Sequence, residues 1–177
     1  MIALWALFWS VCLMRRGPDD VPYSLPLLAL AIALSVGLGV VTQFLSGSES
    51  LPGMAAVLIS PVVDALALWA LLAFKRQEPL FVPSLTAVFG ADLLLGLFAL
   101  PLVLASHFVG ESPLLPVVVF GQMLLVGWNL GVRGFIYHRS AHIGIVQANV
   151  LALTLFVLNI FFVVKLFPEL LGPAGPH

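Results

Sequence analysis

Charge is scarce in this sequence. Of 177 residues only 8% are Asp, Glu, Lys or Arg, against roughly 25% in a typical soluble domain. A soluble fold covers its surface with polar groups, and this chain has too few: 62% of it is hydrophobic. A soluble globular domain is therefore excluded, and a lipid bilayer has to supply the covering. The formal net charge of -1 lacks the basic field that draws a protein to nucleic acid, so no nucleic-acid partner is expected. Cysteine is nearly missing as well. Cys12 stands alone, which rules out an internal disulfide and a cysteine metal centre. No positive charge precedes the apolar stretch Met1 to Met14; Arg15 and Arg16 follow it. That order is wrong for a secretion signal, and the segment reads as retained. Catalytic signatures are lacking too: there is no Ser/His/Asp or Cys/His set, phosphate loop, zinc motif or cofactor fingerprint. The expectation is a non-catalytic chain without cofactor or metal.

What is there is apolar length. Five runs are long enough to span: Tyr23 to Leu45, Ala55 to Phe74, Leu80 to Ser106, Leu114 to Val132 and Ile143 to Phe167. A helix needs about 20 apolar residues to cross a hydrocarbon core of about 30 Å. Short connections make consecutive helices antiparallel neighbours. The fold class is all-α, a polytopic transmembrane bundle of about five spans. Residues 1–22 form an N-terminal interfacial helix and linker, 23–167 the transmembrane domain, and 168–177 a flexible tail. Met1 to Met14 spans about 21 Å as a helix, too little to cross. With Trp5 and Trp9 one turn apart as anchors, it is expected to lie in the membrane surface or dip into it.

Basic residues alternate with the spans. Arg15 and Arg16 precede the first; Lys75 and Arg76 separate the second and third; Arg133 and Arg139 separate the fourth and fifth. The opposite connections, Ser46 to Met54 and His107 to Pro113, hold Glu49 and Glu111 but no Lys or Arg. Positive loops stay cytoplasmic, which puts the N-terminus inside and the C-terminus outside. Lys165 is the exception, near enough to the outer end of the fifth span to snorkel. The Ala, Leu and Gly content and the excess of Arg over Lys suit a bacterial inner membrane protein.

Two carboxylates lie within spans, Asp64 and Asp92. A charge at mid-membrane costs at least about 2.5 to 3.5 kcal/mol, so each needs a reason. Each stands fourteen residues from Glu78 at the turn between its helices, about 21 Å along the helix. Gln122 stands eleven residues before Arg133, as Asp64 does before Lys75. These spacings predict a polar layer of Asp64, Asp92 and Gln122 near the bilayer centre. It would bind a proton or cation, or serve as interhelical hydrogen-bonding glue. His138 and His142, four apart, share a helix face, but a metal site needs three or four ligands. Beside Arg133, Tyr137 and Arg139 they read instead as a lipid-headgroup contact. Small residues mark packing faces at Ala31, Ser35 and Gly39 and at Gly127 and Gly131.

A cytoplasmic N-terminal segment, five close-packed spans and a short tail resemble the Yip1 family of membrane proteins. The run Arg16-Gly17-Pro18-Asp19-Asp20-Val21-Pro22-Tyr23-Ser24 also looks like the opening of small proteobacterial membrane proteins. The Yip1 resemblance implies a scaffold or accessory subunit in a membrane assembly, partnered by other membrane subunits or by itself. It brings no catalytic residue. The alternative is a small transporter or an ion- or proton-coupled subunit that uses Asp64 and Asp92. Water access separates the two: a crevice reaching the acids favours transport, a dry bundle the scaffold.

Overall fold

The computed structural model describes residues 2–46, 51–109 and 112–166. Glu49, Glu111 and the tail at 168–177 lie outside them. Among the described residues the chain is all helix and turn, without strands. Helix α1 covers Ile2–Cys12, α2 Leu25–Leu45, α3 Leu51–Phe74, α4 Phe81–Val109, α5 Leu115–Ala141 and α6 Ile145–Leu166. The last five are long and apolar enough to cross a membrane, and the protein is an integral membrane helical bundle.

Local chemistry sets the helix ends. Ser24 caps α2, its Oγ accepting from the Leu27 N–H at 3.4 Å. This satisfies one of the N–H groups that a helix start leaves without a partner. Helix α3 stops where Arg76 turns left-handed at φ 56° and the Gln77 N–H reaches back to the Leu72 carbonyl. Helix α5 stops the same way at His142, φ 52°. His138 and Arg139 occupy its last turn, where positive charge complements the helix dipole.

The fourth span is longer than the sequence suggested. It was expected to end at Val132, before Arg133, yet α5 continues to Ala141 and is 27 residues long. An arginine marks a helix end only when it has to reach water. Here it finds partners inside, and the apolar run Gly134-Phe135-Ile136-Tyr137 carries the span onward. Arg133 is therefore not a loop residue, and it no longer counts towards the charge asymmetry of the connections.

Helix α1 leans on α4 and reaches α5. Leu7, Val11 and Cys12 are buried, and the ring of Phe8 lies over Gly90, where a Cβ would collide with it. Trp9, read from the sequence as an interfacial anchor, is half-buried. It packs against Phe98 and Trp128, at centroid distances of 5.6 and 6.4 Å. The Trp128 indole N–H donates to the Cys12 carbonyl at 2.8 Å, satisfying one of the carbonyls that the end of α1 leaves over. The short helix is thus wedged into the bundle. Its following turn is held by an ion pair of Asp19 with Arg139, 3.4 Å.

Packing is uneven along the bundle. The end that carries Asp19, Arg76 and Arg139 is here termed basal. Its core is Leu68 and Leu72 of α3, Leu85 and Val88 of α4, Ile136 and Tyr137 of α5 and Ala148 of α6. Beyond Leu95 no described residue of α4 is buried, and none of α5 from Val119 to Gly131. The small-residue face of α2 does pack: Ala31 is buried and Gly39 meets Val57 of α3. Of the α5 pair, Gly131 faces Met14, whereas a Cβ at Gly127 would meet no described residue within 4 Å.

Candidate functional site

The site lies where the dense basal core gives way to the looser half. Asp64 sits ten residues up α3 from Phe74, Asp92 eleven up α4 from Phe81, and Arg133 eight up α5 from Ala141. At 1.5 Å per residue these are depths of about 15, 16 and 12 Å. The three side chains meet. Arg133 Nη1 donates to Asp64 Oδ2 at 2.9 Å, and Arg133 Nη2 donates to Asp92 Oδ2 at 2.7 Å. Asn129, one turn before Arg133, donates Nδ2 to Asp92 Oδ1 at 2.7 Å. One guanidinium thus ties α3, α4 and α5 together. The side chains are only 17%, 11% and 16% exposed for Arg133, Asp64 and Asp92.

The planar fork of arginine explains the geometry. It holds several N–H donors in fixed directions, so two carboxylates can be bound at once where the point charge of lysine would favour one. Among the described residues the buried Arg133 Nε–H has no hydrogen-bond partner. The guanidinium keeps its charge under all ordinary conditions, and it faces two acids. With both ionised, the triad carries one negative charge in excess.

A cavity of about 320 Å³ opens beside the triad between α2 and α3. Its lining includes Ser35, Gly39, Val57, Ser60, Asp64, Asp92 and Arg133. Pro61, inside α3, has no N–H to give the Val57 carbonyl, so that wall holds a backbone acceptor freed from the helix. Across α3, Ser60 donates its Oγ to Asn159 Oδ1 at 3.0 Å, joining α6 to the polar belt. A second cavity of about 440 Å³ lies between α4, α5 and α6. Asp92, Asn129 and Gln122 contribute its polar groups and Leu95, Ala99 and Phe156 part of its apolar wall. Asp92 borders both cavities.

The residues singled out from the sequence divide. Asp64 and Asp92 come together, but through Arg133. Gln122 is not part of their layer: its Nε2 donates to the Leu102 carbonyl at 3.4 Å. It stands nineteen residues from the true end of α5, about 28 Å up the helix. Arg133, from which its depth was counted, is eight residues short of that end, so the spacing placed Gln122 too low. Arg133 leaves the headgroup set for the interior. His138 pairs through Nδ1 with the Ile143 carbonyl, His142 is exposed at the helix end, and Arg139 engages Asp19. These three lie at the basal end without forming one cluster. Among the described residues no group of three or more His, Cys, Asp and Glu is placed to hold a metal ion. Asn129 escaped sequence reading, and Arg133 was read as a headgroup contact and not as the partner of the two acids. Their four-residue spacing, continued to Tyr137, is a one-face polar stripe that only a longer fourth span would reveal.

Compared with protein-family models, with curated proteins and with solved structures, the chain matches none.

Proposed function

We propose that this protein is a small membrane transporter or ion-coupled membrane subunit whose working group is the Asp64–Arg133–Asp92 triad. The observation that carries this reading is the pairing of two carboxylates with one guanidinium at the edge of a polar cavity. A purely structural pair needs one acid and one base, and burying ions is seldom stabilising relative to apolar packing. A second acid adds a charge that a proton or monovalent cation can neutralise. Intramembrane ionisable groups that border cavities are what a coupling site requires. The reading places the chain in a bacterial inner membrane with the basal end cytoplasmic. Arg15, Arg16, Lys75, Arg76 and Arg139 still support that orientation.

The test is reconstitution into vesicles containing a pH-sensitive dye. An inward proton or cation gradient should produce a pH change that Asp92→Asn abolishes while the variant stays folded.

A Yip1-like scaffold or accessory subunit is the second reading. The observation favouring it is that Arg133 joins three helices, as a structural clasp would. Under that reading Asp92→Asn keeps the protein's association with its partners, and no flux is seen in either form.

A further inference from the structure

The cavity between α4, α5 and α6 has a composition suited to one ligand class. It is polar at two places along its length and apolar between them. Asp92 and Asn129 mark one place; Gln122, seven residues from Asn129 on the same helix, marks the other about 10 Å away. Leu95, Ala99 and Phe156 help line the rest. Its volume of about 440 Å³ is within the range of small-molecule sites, which are mostly apolar with a few placed polar groups.

The charge at its floor decides the class. Asp92 shares with Asp64 a single guanidinium, so the triad offers one excess negative charge to whatever enters. Anions are thereby disfavoured. A small hydrated metal ion would need several oxygen ligands, whereas the walls here are chiefly carbon. Both Asp92 oxygens already accept a hydrogen bond, from Arg133 and from Asn129. A primary ammonium, which is held through directed N–H donation, would have to compete for them. A cation of diffuse charge and apolar body needs only proximity to the carboxylate, apolar walls and an aromatic face such as Phe156.

We infer that the cavity bordered by Asp92, Asn129, Gln122 and Phe156 binds an apolar organic monocation, of the tertiary or quaternary ammonium class, against the excess negative charge of the triad. The inference rests on the coupling role proposed above. Proton and organic cation neutralise the same charge, so entry of one releases the other: one cation bound, one proton given up from the triad to the medium.

The probe is benzyltriethylammonium chloride, titrated calorimetrically into the purified full chain in maltoside micelles. Repeating the titration in buffers of different ionisation enthalpy counts the protons released. Saturable binding near one per chain is expected, with proton release. Asp92→Asn should weaken it at least tenfold, because the triad is then neutral. Ala99→Phe, which fills the cavity and leaves every charge in place, should weaken it similarly. Either variant unfolding leaves the other to decide. Absence of saturable binding to the folded protein would overturn the inference. So would binding by the folded variants as tight as by the native chain, or equal displacement by a neutral hydrocarbon of the same shape, which would mark the cavity as a lipid-chain groove. The two readings fail separately. If infrared titration finds a triad carboxyl that exchanges a proton while the probe does not bind, only the ligand class falls. If neither is seen, the coupling role falls with it.

Discussion

Arg133 of α5 and Asp92 of α4 stand 2.7 Å apart, and the other arm of the same guanidinium reaches Asp64 of α3 at 2.9 Å. A cation that serves two anions makes their substitutions interdependent. Either acid can be neutralised and leave a matched pair. Removing both leaves a buried guanidinium with no counter-charge. Asp64→Asn and Asp92→Asn should each change stability by about 1 kcal/mol. The double variant should lose about 3 to 5 kcal/mol, well beyond their sum. Thermal unfolding in detergent of the four proteins checks this, and strict additivity would show that the acids do not share Arg133.

Arg133 itself should be harder to replace. Arg133→Met leaves two carboxylates facing each other without a cation, at an expected cost of about 3 to 5 kcal/mol. Arg133→Lys restores charge without the fork and should recover only part of that loss. Unfolding midpoints provide the comparison; a fully restored midpoint with lysine would argue against simultaneous binding of the two acids.

Much of the fold was legible in the sequence, because apolar length and turn chemistry are local signals. Four spans end within a few residues of expectation, while the fourth does not. Its error has one cause: Arg133 looks like a loop charge until its partners on α3 and α4 are known. The same gap hid the site. Two intramembrane acids were visible as a cost, but the cation that offsets it lies 69 and 41 residues away along the chain. No periodicity within one helix reveals a contact of that range. Likewise Trp9 suited a membrane interface by residue type, and only packing shows it against Phe98 and Trp128.

The docking of α1 has a chemical signature in Cys12. Its side chain is buried, with the thiol 4.0 Å from the Ala91 carbonyl. Burial, with a smaller contribution from the Asp92 charge, pushes the thiol up from 9.0 to about 11. An unfolded thiol loses its proton near pH 9 while the folded one keeps it. Stability from this group is therefore complete below pH 9 and declines as pH rises from 9 towards 11, by up to about 3 kcal/mol. The midpoint of the native chain should fall faster with pH in that window than that of Cys12→Ala. At pH 8 a maleimide should label Cys12 only after unfolding; rapid labelling of the native protein would mean that α1 is not seated.

Gly90 is the seat of that helix. A Cβ there runs into the ring of Phe8. Gly90→Ala should cost about 1 to 3 kcal/mol through overpacking and speed Cys12 labelling. A companion Phe8→Ala, which vacates the same space, should restore room for the new methyl group. Gly127→Ala, with no described residue within 4 Å, serves as the control and should neither lower stability nor speed Cys12 labelling.

The most direct test of the triad is infrared difference titration of the vesicle-reconstituted protein, following the protonated-carboxyl band with Asp64→Asn and Asp92→Asn alongside. Two acids and one guanidinium leave one negative charge in excess, and the account assigns to it one proton that a single carboxyl of the triad exchanges with the medium. In the native-minus-variant difference, where the remaining acids cancel, a triad carboxyl band should disappear as pH rises; either substitution removes it, because the triad is then already neutral. Identical titrations in all three proteins, with no difference band between the native chain and either variant, would contradict a proton-exchanging site at Asp64, Arg133 and Asp92.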